Sequence, residues 1–150
     1  MTKVPSTNPK DAIGSVKLPL HLFPAEAIAM GSLAMLEGKL VYGRANFVAG
    51  SGVQASIYVD ACKRHLDAWF SGEELTPDSK LPHLANAIAC LAIIIKAKAH
   101  GKLVDDRDFD PNGSYRKLVS ELTPFVSQLK KLHGHKSPKH FTIADNKGAK

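Results

Sequence analysis

Apolar residues recur along this chain at three- and four-residue intervals, the period of helices packed on one face; no stretch alternates as a strand does. Ala27, Met30, Leu33 and Ala34 mark a first helix from Ala25 to about Glu37, entered through Pro24 and bracketed by Gly38 and Gly43. Tyr58, Cys62, Leu66 and Trp69 mark a second over roughly Ser56 to Ser71, which Gly72 can end. A third runs from near Leu81 to about His100, with Asp78 or Ser79 as cap and Pro82 in its first turn. From Leu84 to Ile95 it is apolar nearly all round, the pattern of a helix central in a bundle or at a subunit interface. Leu118, Val119, Leu122, Phe125, Val126, Leu129 and Leu132 place a fourth over Ser114 to His133, kinked or divided at Pro124.

Between these helices the pattern stops. Gly43 to Ser56, with Gly50-Ser51-Gly52, reads as a glycine-rich loop, long enough in a small domain to be functional. The fold class expected is therefore all-α: a small bundle of about four helices, a Gly-rich loop between the first two, and a basic C-terminal tail. Residues 1–11 read as an extended arm, 12–133 as one helical domain and 134–150 as a flexible tail.

Composition narrows the class. A chain of 150 residues suits one domain that buries a core without disulfides. Its two cysteines, Cys62 and Cys90, fall in apolar helical patterns and read as free thiols. The start lacks an apolar leader segment, and the run Ala87 to Ile95 is too short to span a bilayer, so a soluble, cytoplasmic protein is expected. The net charge of +6 sits wholly after Tyr115, where eight Lys/Arg face only Glu121 and Asp145. That excess reads as a solvated tail rather than a nucleic-acid surface, because no aromatic platform accompanies it.

The candidate chemistry clusters in one hairpin. Arg64-His65 and Trp69 lie on the second helix, Glu73-Glu74 in the turn, and His83 and Asn86 on the next helix. His65 reads either as a core histidine with one hydrogen bond or as a base, ligand contact or metal ligand. Arg64 stands three and four residues from Asp67 and Asp60: an intrahelical ion pair, or a guanidinium preorganised to grip phosphate. Trp69 is a core residue or a stacking platform for a base. Glu73 and Glu74 are solvated turn residues or ligands for a hard cation. His83 and Asn86 face one way at one-turn spacing, as a hydrogen-bond pair across the hairpin or as ligand contacts. No phosphate-loop signature and no zinc-site spacing is present.

One family carries these residues in this order. Lys17-Leu18-Pro19 … Leu22-Phe23-Pro24, Tyr42-Gly43-Arg44-Ala45-Asn46-Phe47, Asp60 … Arg64-His65-Leu66-Asp67-Ala68-Trp69 … Gly72-Glu73, Ser79 … His83-Leu84 and Asp105-Asp106-Arg107 resemble the dATP/dGTP diphosphohydrolase N-terminal domain family over roughly Asn8 to Phe109. Such proteins are small and common in bacteriophage genomes. The resemblance implies an all-α protein related to the MazG-like nucleoside triphosphate pyrophosphohydrolases, which release monophosphate and pyrophosphate. It also implies Mg²⁺ or Mn²⁺ held by helix carboxylates, and a dimer or tetramer. The chain departs from the family pattern at Val41 (usually Lys), Phe47 (usually Trp) and Asn86 (often His), and its third helix carries no carboxylate.

The resulting expectation is a metal-dependent (deoxy)purine nucleoside triphosphate diphosphohydrolase. Its catalytic residues would be His65, Glu73 and Asp60, and its metal ligands Asp60, Asp67, Glu73 and Glu74. Lys17 and Arg64 would bind phosphates, His83 and Asn86 would contact base or sugar, and Tyr42, Asn46 and Trp69 complete the expected nucleotide-binding set. The alternative is a nucleotide-binding protein without turnover, sequestering a nucleotide or nucleotide signal. A homo-oligomer is expected in either case.

Overall fold

The computed structural model describes residues 8–146. Six helices and one two-stranded parallel sheet follow in order: α1 (Pro9–Gly14), α2 (Ala25–Tyr42), α3 (Asn46–Ala49), β1 (Val53–Gln54), α4 (Ala55–Phe70), α5 (His83–Ala99), β2 (Leu103–Val104) and α6 (Ser114–His133). The all-α reading holds. No helix among the described residues is long and apolar enough to cross a membrane.

α5 is the centre of the domain, packed by α4 on one side and α2 on the other, which is why its sequence is apolar nearly all round. Alanines make this close packing work. Ala85 and Ala89 of α5 are buried against Ala34 of α2, with Met30 and Met35 filling the edges. A Cβ on Gly31 would meet Ile88 Cγ2 at 2.7 Å, so α2 approaches α5 through bare backbone. On the other side the Cys62 thiol points at the Ala87 carbonyl, 3.7 Å away. Both cysteines are free, Cys62 buried and Cys90 half-buried.

Several elements differ from the sequence reading. α2 runs through Gly38 to Tyr42, and Gly43 ends it with φ +87°. The glycine-rich stretch is not one loop: it folds into α3 and β1, and Val53 pairs in parallel with Leu103. Gly52 is required there, since at φ +108° a Cβ would stand 2.8 Å from the Lys102 carbonyl. α5 starts at His83, and neither Asp78 nor Ser79 caps it. The turn before it is knitted instead by Thr76, Leu81, Glu74 and His83, the Glu74 carbonyl accepting from His83 N–H at 3.1 Å. Residues 9–11 of the expected arm are helical, capped by Asn8 Oδ1 on the Lys10 N–H at 3.0 Å; residues 1–7 lie outside the described ones. Pro124 does not divide α6. After α6 the chain makes a short 3-10 turn, Ile143–Asp145, with Ile143 against Gly72 at the end of α4.

α4 is capped from a distance. Gln54 precedes it without capping, and Asp106 does the work: one carboxylate oxygen accepts the Ser56 N–H at 2.9 Å, the other the Ser56 hydroxyl and the Gln54 amide. These donors hold the Asp106 carboxyl well below its usual range, down to about 2. A carboxylate with a depressed folded pKa contributes stability above its unfolded value of 3.8, lost as pH falls toward 2. Asp106→Ala is therefore expected to lower the thermal midpoint by several degrees at pH 7 and by much less at pH 2, as read by circular dichroism.

Candidate functional site

The α4–α5 hairpin brings two histidines face to face. His65 Nδ1 and His83 Nδ1 stand 2.9 Å apart, a hydrogen bond in which one ring donates and the other accepts. His83 is 5% exposed, and its Nε2 has no hydrogen-bond partner; Glu73 Oε1 stands 3.7 Å from it, beyond hydrogen-bond reach. One pair of tautomers puts opposite partial charges together along this line. With His83 Nε2–H directed at the Glu73 carboxylate, His83 Nδ1 accepts from His65 Nδ1–H. His65 Nε2 is then left with a free lone pair, the atom a general base needs. Burial, the neighbouring His83 ring and the Arg64 guanidinium hold the His65 pKa below 6.5, against a smaller opposite pull from Asp78. The lowered pKa favours the neutral form of His65.

At the other end of the hairpin lies a cavity of about 640 Å³ between α2, α3, α4 and α5. Tyr42, Phe47 and Tyr58 supply aromatic faces, Lys39, Arg44 and Lys96 positive charge, and Asn46 an amide; none of its lining residues is a carboxylate. Burial and the nearby Cys90 and Tyr42 push the Tyr58 phenol above its ordinary value, so it stays a neutral hydrogen-bonding group. Ala45 adopts a left-handed backbone, φ +60°, between Arg44 and Asn46. For a residue with a Cβ this is strained, and such strain concentrates at ligand-binding loops.

The expected site residues therefore divide between two places. Tyr42 and Asn46 line the cavity. His65 and His83 are hydrogen-bonded to each other, and Glu73 stands 3.7 Å beyond His83, a line of three groups here called the relay. Arg64 is exposed beside His65 and makes no ion pair with Asp60 or Asp67, so the guanidinium clamp expected from their spacing does not form. Asn86 is half-buried one turn beyond His83, and Trp69 is 40% exposed. Lys17 is exposed in the segment after α1 and does not line the cavity.

The expected metal set does not converge. Asp60 and Asp67 lie seven residues apart on α4, about 10 Å along the axis, too far to share an ion. Glu73 points toward His83, and Glu74 is exposed in the turn. Among the described residues no group of three His, Cys, Asp or Glu side chains could hold a metal ion. A closed protein cage for Mg²⁺ or Mn²⁺ does not fit this donor set.

Sequence reasoning missed Lys39 and Lys96, which only the packing of α2 on α5 brings to one cavity. It read Tyr58 as part of an apolar stripe. Arg44 stood inside the quoted motif, where its place between Tyr42 and Asn46 was the available signal.

A family model described as dATP/dGTP diphosphohydrolase, N-terminal, matches residues 7–107. The match takes in the cavity, the relay and the Asp106 cap, and stops before α6. No curated protein and no solved structure matches the chain. Two-thirds of the sequence falls under the family model, and the chain belongs to the dATP/dGTP diphosphohydrolase N-terminal family.

Proposed function

We propose that this protein hydrolyses a purine (deoxy)nucleoside triphosphate to the monophosphate and pyrophosphate. The observation that carries the reading is the pairing of a carboxylate-free, cationic and aromatic cavity with an uncharged histidine base on the same hairpin. The purine would stack among Tyr42, Phe47 and Tyr58, with Asn46 at its edge. Lys39, Arg44 and Lys96 would draw the anionic nucleotide into the cavity. From Tyr58 to His65 is seven residues of α4, about 10 Å along the axis, a gap for the sugar and α-phosphate to cover.

In the reaction His65 Nε2 takes a proton from water as its oxygen bonds to the α-phosphorus. The bond from that phosphorus to the α,β-bridging oxygen breaks, and pyrophosphate leaves with the electron pair. Glu73 orients His83, which orients His65, as a carboxylate orients the imidazole in other base chains. Mg²⁺ or Mn²⁺ fits this chain best as part of the substrate, carried on the triphosphate, because Mg²⁺ commonly binds through phosphates and water with few protein ligands. Arg64, unpaired beside His65, would meet the phosphates at the reacting end.

A second reading has one observation behind it: the donors for a resident metal do not converge. A nucleotide-sequestering protein would need only the cavity. Incubation with each dNTP and NTP, with Mg²⁺, with Mn²⁺ and with EDTA, followed by anion-exchange chromatography, separates the two. Monophosphate and pyrophosphate in equal amounts from a purine triphosphate are the expected result. Bound but intact nucleotide in every incubation would replace the hydrolase with the sequestering protein.

A further inference from the structure

The segment after α6 comes back to the α4–α5 hairpin, and it does so as a built piece of structure. Around the 3-10 turn Ile143–Asp145, the Asp145 carboxylate accepts the Thr142 N–H at 3.0 Å, and the Thr142 hydroxyl accepts the Asp145 N–H in return. Lys139 Nζ stands 3.3 Å from the same carboxylate and 4.4 Å from the centre of the Phe141 ring. These contacts fix a turn that presents Ile143 to Gly72. A Cβ on Gly72 would stand 2.5 Å from Ile143 Cδ1, so this seat exists only because residue 72 is glycine.

Gly72 is also the residue on which the aim of Glu73 depends. With φ +99° it closes α4: its N–H donates to the Trp69 carbonyl at 2.9 Å, and the Glu73 N–H donates to the Ala68 carbonyl at 3.0 Å. This is a Schellman end, in which an apolar residue after the glycine commonly packs back on the last turn. Here that residue is Glu73, and Ile143 supplies the apolar cover from outside. The Glu73 carboxylate lies 3.7 Å from His83 Nε2 and is half exposed, so its direction comes largely from the backbone of this turn.

We propose that Ile143 is a positioning residue: the segment after α6 straps the Gly72–Glu73 turn and thereby holds Glu73 toward His83. The strap lies outside the residues that the family model matches. Ile143 is 68% exposed, so its replacement removes the seat without opening a core. The effect of the strap on turnover rests on the hydrolytic reading; the seat itself does not.

The test uses the full chain. In Ile143→Ser the Gly72 and Glu73 amides should exchange with solvent about fourfold faster, the worth of one buried methylene, while the amides of α5 keep their wild-type rates. Asp145→Ala, which takes apart the turn that presents Ile143, should do the same. Ile143→Leu, which keeps a methyl at that reach, should not. Turnover of a purine triphosphate should fall about two- to tenfold in Ile143→Ser with KM unchanged, a smaller loss than that of Glu73→Gln. In the Glu73→Gln background the same change should cost nothing further, because both act through one carboxylate. Unchanged exchange in Ile143→Ser would overturn the proposal, since the seat would not form. So would a further loss of turnover in the Glu73→Gln background, which would mean a route other than Glu73. A rise in turnover when Ile143 is replaced would also overturn it, making the segment a cover over the site. If the wild type turns over no triphosphate, the hydrolytic reading fails and the exchange rates alone decide the strap.

Discussion

His65→Ala is expected to lower turnover of the triphosphate by about 10²–10⁴-fold, the usual loss when a positioned base is removed, with nucleotide affinity close to wild type and a thermal midpoint a few degrees lower, because the buried His83 ring loses its hydrogen-bond partner. The split between turnover and binding is the informative part. His65 lies at the relay end of the hairpin, while the aromatic and cationic groups that would bind nucleotide line the cavity at the other. Glu73→Gln should cost less, about 10–100-fold, since Glu73 acts through His83 and only positions the base.

The pH profile carries the same signature. The His65 pKa is lowered, so the base stays in its active, neutral form down to below pH 6.5. Turnover should fall on acidification at a lower pH than an ordinary histidine base would give. The sign for stability agrees. A histidine whose folded pKa lies below its unfolded value binds fewer protons folded than unfolded, so its contribution is complete above 6.5 and is lost as pH falls from there through the lowered value. In His65→Ala that part of the acid sensitivity should disappear. Turnover in His65→Ala equal to wild type would remove the relay from the mechanism.

Arg44→Gln with Lys96→Gln is expected to weaken nucleotide binding by about a hundredfold or more, the loss of two charge-assisted contacts, with turnover at saturation largely kept. Calorimetric titration with the purine triphosphate reads the first and initial rates at saturating substrate the second. Lys17→Gln is the control: Lys17 lies outside the cavity, and its removal should leave the dissociation constant unchanged. Equal effects of Lys17 and of the pair would mean that the nucleotide binds elsewhere.

How far the sequence reveals this site follows from the physics of each part. α4 and α5 were legible because burial of one face imposes its period on the chain, and α6 because its apolar positions recur at helical spacing; its bounds match outright. The meeting of His65 and His83 was legible because a short turn forces two helices into a hairpin. The clamp of Arg64 by Asp60 and Asp67 was not real because exposed ion pairs are worth little, and side-chain freedom outweighs them. Among the described residues the expected metal ligands do not gather into a group of three, and Asp60 and Asp67, seven residues apart on α4, lie about 10 Å apart along its axis. Lys39 and Lys96 sit 57 residues apart and meet only through tertiary packing, which no local pattern encodes. α3 and β1 were hidden because Gly43 to Ser56 lacks apolar periodicity, and their geometry depends on Gly52 passing close to Lys102.

The central claim is that cavity and relay form one site. A structure of the protein with a triphosphate whose α,β-bridging oxygen is replaced by NH tests it most directly. The purine is expected between Tyr42, Phe47 and Tyr58, with the α-phosphorus next to His65 Nε2. A nucleotide seated wholly in the cavity, its α-phosphate turned away from His65, would contradict it.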